Sequence, residues 1–252
     1  MDVNFSYEDK NFVVVGASSG IGKQIALELA QAGANVLCLA RRVELMEQLK
    51  ENQGNGKIIP AFVDVTKAKP AEWDSLIKSF VGEYGKINGG VYTAGVGGLT
   101  AFRNWNEDFA QLIMNTSYWG MLRFLQSAAK KRFAVDGSSY VVFSSIAAHH
   151  GEQGQLIYAS AKSAVQSAVN VIAKEISPNK HRINSISPGW VNTSMNADDE
   201  FEVYERRKNM FWLGEGTTEK VSGMVLFLLS SRADWITGTD IIIDGGQLLG
   251  TI

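Results

Sequence analysis

The 252-residue sequence is poor in several residue types, and each shortage excludes a class of protein. One cysteine, Cys38, cannot form an intramolecular disulfide or belong to a cysteine-rich zinc site. It lies in the apolar run Asn35–Ala40 and reads as a buried core thiol. Of the three histidines, His149 and His150 are adjacent and do not share a helix face. No cysteine or acidic cluster accompanies them or His181, so no metal site is expected. There are four prolines and no repeat or low-complexity tract, which leaves no linker and favours one domain over 1–252. No apolar window reaches the 18 residues of a membrane span, and Asp2, Glu8 and Asp9 replace the positive start of a signal peptide. A cytoplasmic protein without a membrane partner is expected. The net charge of −2 gives no overall field toward nucleic acid.

What is present is a 45% hydrophobic chain with 25 glycines, too apolar for intrinsic disorder. Short aliphatic runs alternate with segments of helical period. The strand candidates are Phe12–Val15, Asn35–Ala40, Ile58–Val63, Gly90–Thr93, Tyr140–Ser144, Arg182–Ser187 and Asp240–Ile243. Most are continuous rather than alternating in polarity, as in a parallel sheet covered on both faces. Between them, Ile21, Ile25 and Leu29 repeat every four residues up to Gly33, a C-cap signal. Trp73, Ile77, Phe80 and Val81 share another helix face. Longer helical stretches run from about Trp105 to Ala129, from about Ile157 to Ile176 and from about Glu219 to Leu229. The pattern is a single α/β domain of Rossmann type, doubly wound, with roughly seven strands in a parallel sheet.

The first strand runs into Gly16-Ala17-Ser18-Ser19-Gly20-Ile21-Gly22, and a helix follows. Gly16 permits the turn, Gly20 the close approach of a pyrophosphate, and Gly22 the packing of helix on sheet. The helix N-terminus then offers N–H groups to phosphate. The spacing is G-x-x-x-G-x-G, not the commoner G-x-G-x-x-G. A plain tight turn is the alternative. The second strand ends at Ala40-Arg41-Arg42, where an acidic residue would bind ribose hydroxyls. Two guanidinium groups there match a 2′-phosphate instead, which favours NADP(H) over NAD(H); a solvated basic turn is the plainer reading.

Tyr158 and Lys162 stand at i and i+4, on one helix face. A nearby ammonium favours the phenolate and is expected to bring the tyrosine pKa toward the working range. Ser145 ends the preceding strand candidate, at the edge where open α/β sheets bind ligands.

In the order of these motifs the sequence resembles the short-chain dehydrogenase/reductase family over nearly its whole length. The family's glycine loop matches Val15 to Gly22, including Ser18, Ser19 and Ile21. Its Asp-Val pair matches Asp64-Val65, and its Asn-Asn-Ala-Gly segment matches Tyr92-Thr93-Ala94-Gly95. The active-site asparagine matches Asn115, the serine Ser145, and Tyr-x-x-x-Lys matches Tyr158 and Lys162. Pro-Gly-x-x-x-Thr matches Pro188, Gly189 and Thr193, with Val191 between, and Asp-Gly-Gly matches Asp244-Gly245-Gly246. Three positions depart from the pattern: Tyr92 and Thr93 replace asparagines, and Val15 replaces a threonine.

The resemblance implies an NADP(H)-dependent oxidoreductase that interconverts a ketone and a secondary alcohol. Tyr158 is the acid/base, Ser145 holds the carbonyl oxygen, Lys162 tunes the tyrosine and binds the nicotinamide ribose, and Asn115 supports a water. Asp64 contacts adenine, and Val191 and Thr193 bind the carboxamide. The general pattern within the family is similar to that of 3-oxoacyl-[acyl-carrier-protein] reductases. An acidic carrier protein would need basic residues near the entrance, and Lys130-Lys131-Arg132, Lys180 and Arg182 are the candidates. Sugar and steroid ketones are the alternative substrates, and a non-catalytic dinucleotide-binding protein is the alternative function. A lid is expected at about 194–213, with apolar side chains over the substrate, and a facing wall at Ile146–Gln155 where His149 or His150 meets substrate or solvent. A homotetramer or homodimer is the expected assembly.

Overall fold

The computed structural model describes residues 4–193 and 211–250. Seven strands make one parallel sheet: β1 (Asn11–Val15), β2 (Asn35–Ala40), β3 (Lys57–Phe62), β4 (Ile87–Tyr92), β5 (Ala134–Phe143), β6 (Arg182–Pro188) and β7 (Asp240–Ile243). Their order is β3-β2-β1-β4-β5-β6-β7, so the chain reverses direction across the sheet between β1 and β4. Ligands bind at such a switch point, outside the C-terminal strand ends. Pro60 breaks no internal ladder because β3 is an edge strand.

The helices are α1 (Gly20–Gln31), α2 (Val43–Glu47), α3 (Pro70–Tyr84), α4 (Glu107–Met114), α5 (Gly120–Ala128), α6 (Leu156–Ile176) and α7 (Thr218–Leu229). Successive strand residues point to opposite faces, and both faces are covered. Phe12, Val14, Val36 and Cys38 pack with Ile25 and Leu29 of α1 and Val225 and Leu228 of α7. Val13, Val15, Leu37 and Leu39 pack with Trp73 and Ile77 of α3, Phe124 of α5 and Val165 of α6. This is why the strands read as continuous apolar runs. Cys38 is fully buried, and burial drives its thiol pKa far up, leaving an inert core residue. No described helix is long and apolar enough to cross a membrane.

The stretch expected as one helix from Trp105 to Ala129 is two helices joined by a π-turn, Asn115–Trp119. Asn106 caps the first, its Oδ1 accepting from Phe109 N at 2.8 Å. Ile113 and Met121 are both buried, yet an unbroken α-helix would set them about 80° apart. Absorbing one extra residue in the π-turn brings them to within about 20° of one line. The sequence repeats slip by one residue there, and the backbone follows.

The basic residues named as a docking patch do not lie near the strands' C-terminal edge. Lys130 and Arg132 precede β5 and pair with Asp74 at 2.7 and 2.5 Å, while Ser127 donates to the same carboxylate. Lys180 and Arg182 stand at the start of β6. Arg182 is buried and donates to the Ser230 and Ile236 carbonyls, where it supports the end of α7. The charges of Lys130, Arg132 and Arg182 are spent on the fold, at the end opposite the candidate site. The lid expected at 194–213 lies, through residue 210, outside the described residues.

Candidate active site

The loop after β1 is shaped by its neighbours. Gly16 has φ +91, and a Cβ there would strike Thr93 Oγ1 and the Ala94 nitrogen. A Cβ on Gly22 would strike the Gly16 carbonyl and the same Thr93 oxygen. Thr93 does not leave the family segment without bonds. Its hydroxyl and its N–H both donate to the Val15 carbonyl, each at 2.9 Å, joining β4 to the end of β1. No side chain caps the N-terminus of α1. Its first N–H groups and the positive end of the dipole face the loop's cradle. Thr193 closes that cradle, its Cγ2 lying 3.4 Å from where a Gly20 Cβ would stand.

Arg42 leans from the end of β2 onto the loop, with Nη2 donating to Ser18 Oγ at 3.2 Å and Ser19 Oγ at 2.9 Å. Beyond β3, Asp64 accepts from the Thr66 hydroxyl at 2.7 Å and the Thr66 N–H at 3.1 Å. Burial pushes the Asp64 carboxyl up, but those bonds and the charges of Lys67 and Arg41 bring it below the usual range. Pro188 and Gly189 follow from β6, Gly189 N donating to the Ile243 carbonyl at 2.9 Å. Val191 bridges to Gly216. Gly95 sits between the two halves: a Cβ there would be 3.6 Å from Lys162 Nζ and 3.9 Å from Ser117 Oγ.

Ser145, Tyr158 and Lys162 come together at the same edge. Ser145 Oγ accepts from Ala147 N at 3.2 Å, which starts the turn after β5. Burial raises the Tyr158 pKa, and a hydrogen bond from Ser145 to the phenolic oxygen opposes it. Lys162 is 4% exposed, and burial pulls its ammonium down to about 8. Its Nζ donates to the Phe143 carbonyl at 2.8 Å and lies 5.6 Å from the centre of the Tyr158 ring. The expectation that the ammonium lowers the tyrosine pKa therefore needs correction for the protein alone. Both groups are buried, desolvation dominates their shifts, and the Lys162 charge is turned toward the strand carbonyl. Asn115 lies on the π-turn, which packs against α6, the helix carrying Tyr158 and Lys162.

Sequence reading missed a second polar group behind the Ser145 turn. His149 borders the cleft at the Ser145 turn, with its Nε2 turned to Asp240 Oδ2 and Gln166 Nε2, each at 2.8 Å. Asp240 also accepts from Ser185 at 2.5 Å and Ser187 at 2.8 Å. Gln166 stands one turn beyond Lys162, and Ser187 immediately precedes Pro188. The network thus ties the turn after β5 to α6 and to the end of β6, and no sequence signal pointed to it. His150 is exposed and lines a cleft of about 1090 Å³ with Phe102, Arg103, Gln153 and Leu156. Next to Tyr158, Trp105, Phe109, Ile113 and Ile157 line a small apolar niche. Among the described residues no group of three or more His, Cys, Asp or Glu side chains is placed to hold a metal ion.

A glycine cradle at the switch point and a Ser–Tyr–Lys group at the same edge define a class of dinucleotide-dependent oxidoreductase. The chain belongs to the short-chain dehydrogenase/reductase family: a family model described as Enoyl-(Acyl carrier protein) reductase matches residues 16–247. It is 30% identical over 245 residues to the 3-oxoacyl-[acyl-carrier-protein] reductase FabG of Thermotoga maritima, covering 96% of this chain and 99% of that one. It is 31% identical over 254 residues to the L-xylulose reductase of Caenorhabditis elegans, covering 98% of each. A short-chain type dehydrogenase/reductase structure from Mycobacterium ulcerans superposes with a TM-score of 0.90 at 29% identity, over 98% of this chain and 92% of that one.

Proposed function

We propose that the chain is an NADP(H)-dependent reductase of a ketone, reversible to a secondary alcohol, acting as one domain over 1–252 with a lid at 194–213. The observation that carries this reading is the meeting of Ser145, Tyr158 and Lys162 beside the glycine cradle. The residues fit a dinucleotide: Gly16 and Gly22 let the loop close tightly on Thr93 and Ala94, Gly20 lies across from Thr193, and the uncapped α1 N-terminus faces the loop. Arg42, held across Ser18 and Ser19, and Arg41 would receive a 2′-phosphate. Asp64 and Val65 would border the adenine, Ala94 and Gly95 the ribose, and Pro188, Gly189, Val191 and Thr193 the carboxamide end. When bound, the reduced cofactor supplies the hydride.

The chain supplies the rest. Ser145 donates to the substrate carbonyl oxygen and Tyr158 gives that oxygen its proton; in the reverse direction Tyr158 removes it. Lys162, released from the Phe143 carbonyl to the ribose, brings its charge to bear on the phenol. Asn115 holds a water that refills the proton through Lys162. Trp105, Phe109 and Ile157 favour an apolar substituent on the carbonyl carbon, as a 3-oxoacyl thioester has. Reduction of a sugar ketone is the second reading, favoured by the likeness to an L-xylulose reductase. A cytoplasmic location and a homotetramer or homodimer belong to the same proposal; exposed Leu112 and Trp119 on the α4–α5 side support self-association. The test is Tyr158→Phe, assayed by NADPH absorbance against 3-oxoacyl, sugar and steroid ketones. Turnover should vanish while NADPH binding persists; retained turnover sinks the mechanism. The ketone with the highest kcat/KM decides the substrate class.

A further inference from the structure

Tyr92 stands where the family pattern has an asparagine, and it touches none of the groups proposed to react. It is the last residue of β4, 2% exposed, and burial pushes its hydroxyl pKa far above the ordinary range, so it is a permanent donor. Its hydroxyl donates to the Thr116 carbonyl at 2.5 Å. Thr116 follows Asn115 inside the π-turn. In an α-helix that carbonyl would accept from the Gly120 N–H. Here the Gly120 N–H donates one residue further back, to the Asn115 carbonyl. The wide turn therefore deprives Thr116 of its α-helical donor, and a buried carbonyl left without a donor destabilises the fold. The tyrosine hydroxyl replaces the missing N–H.

Three further observations show that the turn is built around that hydroxyl. A Cβ on Gly120 would strike the Tyr92 oxygen and stand 3.0 Å from the Asn115 carbonyl oxygen, so the turn has room for the phenol only with glycine at 120. The Tyr92 ring lies 6.0 Å from that of Phe124, one turn further along α5. Thr116 Oγ1 bonds back to the Leu112 carbonyl at 2.7 Å, which holds the turn from its other side. The same turn faces the reacting groups. Ser117 Oγ is buried without a protein partner and borders Gly95, across which Lys162 Nζ lies.

We propose that Tyr92 is a positioning residue for the reaction: by capping the Thr116 carbonyl it fixes the π-turn, and with it Asn115, against the helix that carries Tyr158 and Lys162. The inference rests on the Proposed function's reading of Asn115 as the residue that serves Lys162. A hydroxyl at 92 then acts on proton delivery without touching substrate or cofactor.

The decisive variant is Tyr92→Phe, which removes one oxygen. The loss of one positioning hydrogen bond is expected to lower kcat by about tenfold. KM for NADPH and for the ketone should stay within about twofold. With the turn loosened, water bound at Asn115 stabilises the Lys162 charge less, so the Tyr158 limb of the kcat–pH profile should move up by about half a unit or more. A merely structural tyrosine would lower the melting temperature and leave kcat and the profile of the folded enzyme unchanged; that result overturns the proposal. Gly120→Ala, which thrusts a methyl at the phenol from the other side, provides a second approach. It should show the same kcat loss, and the double variant should be no worse than the worse single one. Should Tyr92→Phe fail to fold, an unchanged kcat and pH profile in Gly120→Ala overturns the proposal alone. Asn115→Ala separates this inference from its foundation. Full turnover in that variant removes the role of Asn115, whereas a dead Asn115→Ala beside an unaffected Tyr92→Phe removes only the role of Tyr92.

Discussion

Arg42 Nη2 lies 2.9 Å from Ser19 Oγ, so the end of β2 and the first turn of the cradle are held by one guanidinium. In the proposed reading the same group receives the 2′-phosphate of NADP(H). Arg42→Ala should weaken NADPH about 10- to 100-fold, the worth of a charge-assisted pair, and leave NADH within about threefold. Direct titration of both cofactors checks it, and equal losses for both would show a loop effect rather than phosphate recognition.

Gly22→Ala should damage both cofactor binding and the stability of the free protein. The new methyl meets the Gly16 carbonyl and Thr93 Oγ1, and the backbone partner cannot rotate away. The loop must shift, and an increase in NADPH Kd of about tenfold or more is expected, with a loss of stability from overpacking of about 1–3 kcal/mol that lowers the melting temperature. Isothermal titration with a parallel thermal melt reads both.

Lys162 should cost stability at neutral pH. Its folded pKa, about 8, is depressed below the unfolded value, so the folded state binds its proton more weakly. The penalty is full below about pH 8 and fades as pH rises toward about 10.4, where the unfolded chain also releases the proton. Lys162→Met should therefore be inactive yet more stable by about 1–3 kcal/mol at pH 7, after loss of the bond to the Phe143 carbonyl. Its advantage should shrink between pH 8 and 10.4. Denaturant unfolding across that range tests the sign.

Asp74 gives the opposite sign. Hydrogen bonds from Lys130 and Ser127, with the charges of Lys130 and Arg132, hold its carboxyl below the usual range despite burial. The stabilisation is present above the unfolded carboxyl pKa and is lost as pH falls through the folded one. Asp74→Asn should lower the melting temperature at pH 7, approach the parent protein in acid, and leave kcat unchanged, since this clasp lies at the far end of the strands from Tyr158.

The sheet was legible because its apolar runs are continuous, and every strand candidate falls on a strand, with most ends displaced by at most three residues and β5 beginning six residues earlier than read. Periodicity also located α1, α3, α6 and α7. The break between α4 and α5 was not read, although the sequence carried it as a slip of one residue between Ile113 and Met121. The loop residues of the candidate site, Gly16, Asp64, Ala94 and Ser145, come to one edge because each follows the C-terminal end of a strand, and Asn115, Tyr158 and Lys162 are brought there by the helices that follow. The His149–Asp240–Gln166 group was illegible, since it joins residues about 90 positions apart by side-chain geometry alone. The Lys162–Phe143 bond was hidden for the same reason: a backbone carbonyl carries no sequence signal. Counting arginines and lysines likewise could not tell which are consumed by Asp74.

The π-turn has a consequence for insertions and deletions. Removing one residue from Asn115–Trp119 would restore an ordinary helix with the buried residues of α4 and α5 still on one line. Packing has no need of the extra residue, whereas the wide turn that presents Asn115 does. At this point the core and the proposed chemistry call for chains that differ in length by one residue, and the sequence carries the longer one.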